Sequence, residues 1–250
     1  MIKTELLNHT AIIKLNRPEK RNALHPEMIK QLLAKLDELE NHKDINSVVI
    51  TGEGNTFCAG ADLEHLVNLK SNSLNDNYED SKSLAELYLR IYNFPKLTIA
   101  AVNGPAIAGG CGLATVCDFI ISNPEQGKFG YSEVKIGFIP AIVSVFLIKK
   151  IGESKAKEML ITGNQINGNK AFEIGLANYL YNNVLDGALE VINSLSLSSF
   201  DSINLTKNMI NKVSELSVNE AVNYSLNLNL IARSSEDFKK GIERFLRKEK

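Results

Sequence analysis

Asn103-Gly104-Pro105-Ala106-Ile107-Ala108-Gly109-Gly110-Cys111-Gly112-Leu113 decides the reading of the fold. The apolar run Leu97–Val102 leads into it as a strand, and a helix follows through Thr115. A strand that ends in small residues where a helix begins leaves backbone N–H groups unpaired at the positive end of the helix dipole. Small side chains let a ligand atom approach that backbone within hydrogen-bonding distance. The same junction stands upstream. There the β-branched strand Ser47–Thr51 is halted by Gly52-Glu53-Gly54-Asn55, and Phe57-Cys58-Ala59-Gly60-Ala61-Asp62-Leu63 opens a short helix with Leu63, Leu66, Val67 and Leu69 inward. Two such N–H groups converging on one carbonyl oxygen would stabilise an enolate-like oxyanion by about 3 kcal/mol per donor. Taken alone, each bend serves equally as a tight turn for close packing. Neither is a phosphate loop, because GxxxxGK[ST] is missing and Gly109-Gly110-Cys111-Gly112 does not complete GxGxxG.

Outward from these bends, Thr10–Leu15 reads as a strand closed by Asn16-Arg17-Pro18-Glu19, and Phe119–Ser122 as another. Met28, Ile29, Leu32, Leu33, Leu36 and Leu39 recur at three and four, which makes Pro26–Glu40 a helix with Pro26 in its first turn. Lys70–Asn77 is polar and predicts a mobile loop, with a helix over Ser81–Tyr92. Ala141–Ile151, Ser154–Ile161 and Asn169–Ile174 are helical, each punctuated by glycine. After about Phe200 strand signals vanish, and Asp201–Val213, Val218–Ala232 and Ser235–Arg247 predict three helices. An α/β core followed by a helical tail is the expectation.

With Lys+Arg at 28 against Asp+Glu at 29 there is no bulk positive field of the kind that grips nucleic acid by its phosphates. Any anionic ligand must be held by a local cluster. The longest apolar stretches, Leu97–Val102 and Phe138–Ile148, fall short of the roughly 20 residues that cross a bilayer. Met1-Ile2-Lys3-Thr4-Glu5 lacks a signal peptide's apolar core, so a cytoplasmic protein without a membrane partner is expected. Cys58, Cys111 and Cys117 form no CxxC pair, and four scattered histidines offer no zinc-ligand spacing. Three buried thiols and no metal site are expected.

The two bends stand in order with Leu15-Asn16-Arg17-Pro18, Asn22-Ala23-Leu24, Phe129-Gly130-Tyr131-Ser132-Glu133-Val134-Lys135-Ile136-Gly137 and Ser235-Glu236-Asp237-Phe238-Lys239-Lys240-Gly241-Ile242. Over essentially its whole length the chain thereby resembles the crotonase superfamily of enoyl-CoA hydratases and isomerases. The resemblance implies an α/β fold, a crotonase-like spiral of ββα units. It implies an acyl-CoA-binding core over residues 1–199 and a C-terminal helical oligomerisation region over 200–250 that builds homotrimers or homohexamers. It implies an acyl-CoA substrate, no separate cofactor, and a thioester oxygen held between the N–H groups of Ala61 and Gly109. Lys20, Arg21 and Ala23 would serve the CoA moiety, and Ala59, Gly60, Asp62, Leu63 and Gly110 would complete the substrate site. Arg17, Lys20 and Arg21 would supply the local positive cluster; otherwise they form a solvated basic turn.

Hydratases of this family usually carry two acid/base glutamates. The position of one reads Gly112 here, and the other matches Glu133. Hydration of a 2-enoyl-CoA remains the first expectation, by a lyase of fatty-acid or branched amino-acid breakdown. Methylglutaconyl-CoA is a candidate substrate, because Ile136-Gly137-Phe138-Ile139-Pro140-Ala141-Ile142-Val143-Ser144 and Arg233 resemble features of that subgroup. A double-bond isomerase using Glu133 alone, a decarboxylase and a non-catalytic acyl-CoA scaffold are the alternatives. Phe138 and Ile142 are expected to desolvate Glu133 and raise its pKa. Asp62 reads as a helix N-cap that orients Ala61. His65 has no identifiable partner in the sequence, Tyr131 could reach a substrate group or pack, and Cys111 reads as filler. The apolar positions Leu205, Met209, Ile210, Val213, Leu216, Val218, Val222, Leu226, Leu228 and Leu230 exceed what a lone surface layer needs.

Overall fold

Alternating strands and helices build the chain in the order β1 (Ile2–Leu7), β2 (Thr10–Leu15), α1 (Pro26–Glu40), β3 (Ser47–Gly52), α2 (Leu63–Leu69), α3 (Leu74–Tyr92), β4 (Leu97–Val102), β5 (Pro105–Ile107), α4 (Gly109–Thr115) and β6 (Phe119–Ser122). There follow β7 (Lys128–Gly130), α5 (Ala141–Ile151), α6 (Glu153–Thr162), β8 (Ile166–Asn167), α7 (Gly168–Glu173), β9 (Tyr179–Leu180), α8 (Val184–Ser194), α9 (Phe200–Val213), α10 (Val218–Ser234) and α11 (Glu236–Lys248). This computed structural model describes residues 1–69 and 71–248.

β1-β2-β3-β4-β6-β9 form one sheet, antiparallel only between β1 and β2, while β5-β7-β8 form a second, smaller sheet. β3 and β4 are buried at every residue, which explains why both read as unbroken apolar or β-branched runs. One large core packs α1, α3, α4 and α5 against one face of the main sheet; a second, around Val49, Ile99 and Ile121, packs α8 against the other. β4–β5–α4 and then β6–β7–α5 each place a strand in the large sheet, the next in the small one, and then a helix. That repeat sets the second bend beside the segment before Glu133, and the isolated bridge Cys58–Ala106 sets the first bend beside the second.

Differences from the sequence reading have local causes. Apart from Lys70, which lies outside the described residues, the expected loop 70–77 is short. Ser73 and Asp76 form a reciprocal capping box, so α3 begins at Leu74. Val67 is 61 % exposed rather than inward, and the side chains of Leu63 and Leu69 lie outside the described residues. β1 is an edge strand with little burial and so gives a weak sequence signal, while α8 goes beyond the sequence reading although Val184, Ala188, Val191 and Ile192 recur at helical spacing behind the N-cap Asn183. α9 is tied to the sheet by Lys207, which is 8 % exposed, donates to Lys96 O at 3.0 Å and pairs with Asp118 at 2.7 Å. Among the described residues no helix is long and apolar enough to cross a membrane.

Candidate active site

Four short segments lie side by side. Leu24 bridges Ala61 in parallel, Cys58 bridges Ala106, and β5 pairs with β7. The ladder is made by Ala59 N to Arg21 O (3.0 Å), Leu24 N to Gly60 O (2.7 Å), Cys58 N to Pro105 O (3.0 Å), Ile107 N to Cys58 O (2.9 Å) and Ala108 N to Gly130 O (2.7 Å). The loop of Lys20, Arg21 and Ala23, the bend Ala59–Asp62, the bend Ala108–Gly110 and the segment before Glu133 therefore stand in one row.

The two bends touch. Gly60 has φ +93°, and a Cβ there would lie 2.9 Å from Ile107 O and 3.4 Å from Gly109 N. A Cβ on Gly110 would lie 2.1 Å from Cys58 O. Ala108 adopts φ 50°, ψ −124°, a conformation costing a non-glycine residue roughly 1–3 kcal/mol. It turns the chain so that α4 starts against the first bend. Among the described residues the amides of Ala61 and Gly109 donate no hydrogen bond, and both residues remain partly exposed. Two free donors at adjoining bends, one at a helix N-terminus, can polarise a carbonyl placed between them.

Asp62 is 3 % exposed, so its carboxylate works from inside the protein rather than on a ligand. Its Oδ1 accepts from Glu64 N (3.0 Å) and His65 N (3.4 Å), capping α2, and its Oδ2 pairs with Arg17 Nη2 at 2.8 Å. Burial pushes this carboxyl up, but Arg17 and the two amides outweigh it and hold it below its ordinary value. Arg17 also donates to Ala23 O at 3.1 Å. It is thus a strut between the basic loop and the first bend, not part of the expected cationic cluster. Lys20 pairs with Glu64 across the groove between loop and helix, and that bond raises its pKa. Arg21 is exposed with φ 51°. Ala23, Gly60 and Gly110 are buried and shape the backbone, while Ala59 is partly exposed. The side chain of Leu63 lies outside the described residues. Two amide side chains that no motif singled out for this task hold the turns. Asn22 donates to Glu53 O (2.9 Å) and Thr56 O (2.7 Å), and Asn103 to Gly52 O (2.9 Å) and Gly54 O (2.8 Å).

Glu133 opens a single 3₁₀ turn (Glu133–Ile136) after β7. Its Oε2 is fully buried and has no hydrogen-bond partner among the described residues, and burial raises its pKa above the ordinary 4.5. Phe138 is 59 % exposed, so the expected shielding does not come from that ring. The charge on Glu133 is felt instead by Tyr88 and Cys111. At Gly112 there is no room for a second carboxylate. A Cβ would lie 2.3 Å from Val143 Cγ1 and 2.9 Å from the Tyr88 hydroxyl. His65 has a partner after all, Asp80 on α3, at 2.6 Å from its Nε2. Tyr131 is a packed tyrosine whose hydroxyl meets Thr115 Oγ1 at 2.8 Å. Burial pushes the Cys111 thiol up to about 12, which leaves it unreactive. A cavity of about 1090 Å³ lies away from this site, between the body and α9 and α11.

Comparison with known proteins agrees with this architecture. The profile of the family described as "Enoyl-CoA hydratase/isomerase" matches residues 6–250. A Thermus thermophilus protein that carries a provisional enoyl-CoA hydratase name is 39% identical over 242 residues, covering 96% of this chain and 95% of that protein. The 2,3-dehydroadipyl-CoA hydratase of Escherichia coli is 30% identical, covering 95% of this chain and 92% of that protein. The crystal structure of an enoyl-CoA hydratase from Polaromonas sp. JS666 superposes with a TM-score of 0.94 at 30% identity, covering 99% of this chain and 97% of that one. The chain belongs to the enoyl-CoA hydratase/isomerase family, as an enzyme of the hydratase/isomerase type with the crotonase fold.

Proposed function

We propose that the protein adds water across the double bond of a 2-enoyl-CoA thioester. The observation that carries this reading is the pair of unpaired amides, Ala61 and Gly109, at touching bends, together with the buried, unpartnered Oε2 of Glu133. The thioester oxygen accepts from both amides, so the electrons released by addition at C3 collect on that oxygen as an enolate. Glu133 takes a proton from water as its oxygen bonds to C3, then returns that proton to C2. Atoms and charge balance with one carboxylate and no separate cofactor. Lys20, Arg21 and Ala59 serve the CoA moiety beside the bends, with Leu63 at the start of α2 and the buried Ala23 shaping the loop behind them. Gly60, Asp62 and Gly110 hold the donors in place from behind.

A second reading is favoured by one observation, the space at Gly112 filled by Val143 and Tyr88. A single carboxylate suffices to move a double bond, by removing a proton from C2 of a 3-enoyl-CoA and returning it at C4. Purified protein incubated with crotonyl-CoA, a 3-enoyl-CoA and methylglutaconyl-CoA, followed by the absorbance of the conjugated thioester, separates the readings. Loss of absorbance from crotonyl-CoA supports hydration, and gain from the 3-enoyl-CoA supports isomerisation. CoA binding with no turnover on the panel overturns both in favour of a scaffold.

The raised pKa of Glu133 sets the pH dependence. Below that pKa the carboxyl is protonated and cannot accept a proton, so kcat/KM falls on the acid side with a midpoint above 4.5. A profile whose acid limb lies at or below 4.5 removes Glu133 from this role.

The assembly we propose is a homotrimer or homohexamer in the cytoplasm, with acyl-CoA as its small-molecule partner and no nucleic-acid or membrane partner. Val218 (80 %), Val222 (53 %), Leu226 (60 %) and Leu230 (71 %) form an exposed stripe at every fourth residue of α10. That apolar stripe is more than a monomer surface ordinarily leaves open. Sedimentation equilibrium is expected to return three or six times the chain mass of 27.6 kDa, and a monomer speaks against the assembly.

A further inference from the structure

Tyr88 projects from α3 into the wall of the site and is completely buried. Its hydroxyl donates to the carbonyl oxygen of Gly109 at 2.6 Å. The Tyr88 hydroxyl oxygen lies 3.2 Å from where a Cβ on Gly109 would stand and 2.9 Å from one on Gly112. It therefore covers the face of α4 from which a second carboxylate would otherwise project. On the other side of Gly109, Ala108 is held in its strained conformation, with its amide bonded to Gly130 O. The Gly109 residue is thus clamped from both ends, and only its N–H is free. Burial above all, with the Glu133 carboxyl nearby, raises the pKa of Tyr88 well above 10. The phenol keeps its proton throughout the working range and remains a donor.

We propose that Tyr88 is a positioning residue of the oxyanion site: through its bond to Gly109 O it fixes the direction of the Gly109 N–H, and it does so from the space left by the missing carboxylate at position 112. This rests on the hydratase/isomerase reading of the site but not on which substrate is turned over. Tyr88→Phe removes one hydroxyl and keeps the ring, including its edge-on contact with Phe146 at 6.2 Å. Tyr131→Phe is the matched control, because it also loses one hydroxyl from a fully buried ring, bonded to Thr115 rather than to a donor residue.

The probe is acetoacetyl-CoA, whose enolate absorbs in the near ultraviolet and accumulates only where the thioester oxygen is stabilised. Wild-type protein should develop the enolate band. Tyr88→Phe should lose about tenfold in band intensity and in kcat, roughly 1.4 kcal/mol, with KM within about twofold and the acid limb of the pH profile unmoved. Tyr131→Phe should retain both band and kcat. A wild-type band with no turnover on any enoyl-CoA would sink the assigned reaction yet leave the Tyr88 comparison intact. The proposal is overturned if wild-type protein forms no band, if Tyr88→Phe matches wild type, or if both variants lose band and kcat together with Tm.

Discussion

Glu133→Gln should slow turnover by about 10³-fold, within the range seen when a positioned proton carrier is removed, while leaving acyl-CoA binding and the fold intact. The amide is isosteric but cannot accept a proton from water or return one to carbon. The Ala61 and Gly109 amides remain, so residual catalysis from carbonyl polarisation should persist and the loss should fall on kcat rather than KM. The same variant should have an equal or higher Tm at pH 7. A carboxyl whose pKa is raised on folding contributes stability below its unfolded pKa and loses it as pH rises through the folded pKa. Above the folded pKa the ionised group is therefore a cost that glutamine removes. Stopped assays on crotonyl-CoA with parallel thermal melts check both halves. Full activity in the variant would move the proton carrier elsewhere, and a large drop in Tm would show Glu133 to be structural.

Gly110→Ala should damage both stability and turnover, by about 3 kcal/mol of folding free energy and at least about 10²-fold in kcat/KM. The new Cβ would lie 2.1 Å from Cys58 O and 2.7 Å from Cys58 C, and backbone cannot swing aside as a flexible side chain can. α4 must back away from the first bend, which strains the Cys58–Ala106 bridge and moves Gly109 relative to Ala61. Gly241→Ala on α11 is the contrast, since its Cβ meets nothing among the described residues within 4 Å and alanine favours the helix. Tm and kcat/KM measured for both variants test the argument. If Gly110→Ala behaves like Gly241→Ala, the two bends are not in the contact described.

Much of the candidate site was legible because its pieces are backbone features with compositional marks. A donor amide at a bend demands small neighbours, so Ala59-Gly60-Ala61 and Ala108-Gly109-Gly110 announce themselves. Asp62 before a helix is marked by its capping chemistry. Arg17 was misjudged because a charge in a turn looks the same whether it faces solvent or a buried carboxylate 45 residues away, and only the fold brings it to Asp62. Tyr88 left no signal at all, and Val143 stood only within the stretch that carried the subgroup resemblance, with nothing to tie it to Gly112. Each occupies an ordinary helical position, and each gains meaning solely from lying against Gly112.

By itself the sequence determined the α/β alternation and the two glycine-rich bends, since local periodicity and backbone freedom follow from residue type over a few positions, whereas Glu133 was marked only by the family resemblance. Tertiary structure alone decided that the bends touch, that Glu133 has a buried oxygen without a partner among the described residues, and that Val143 and Tyr88 fill the space beside Gly112. Those are contacts between segments distant along the chain, and their distances depend on how the sheets and helices pack rather than on any single stretch.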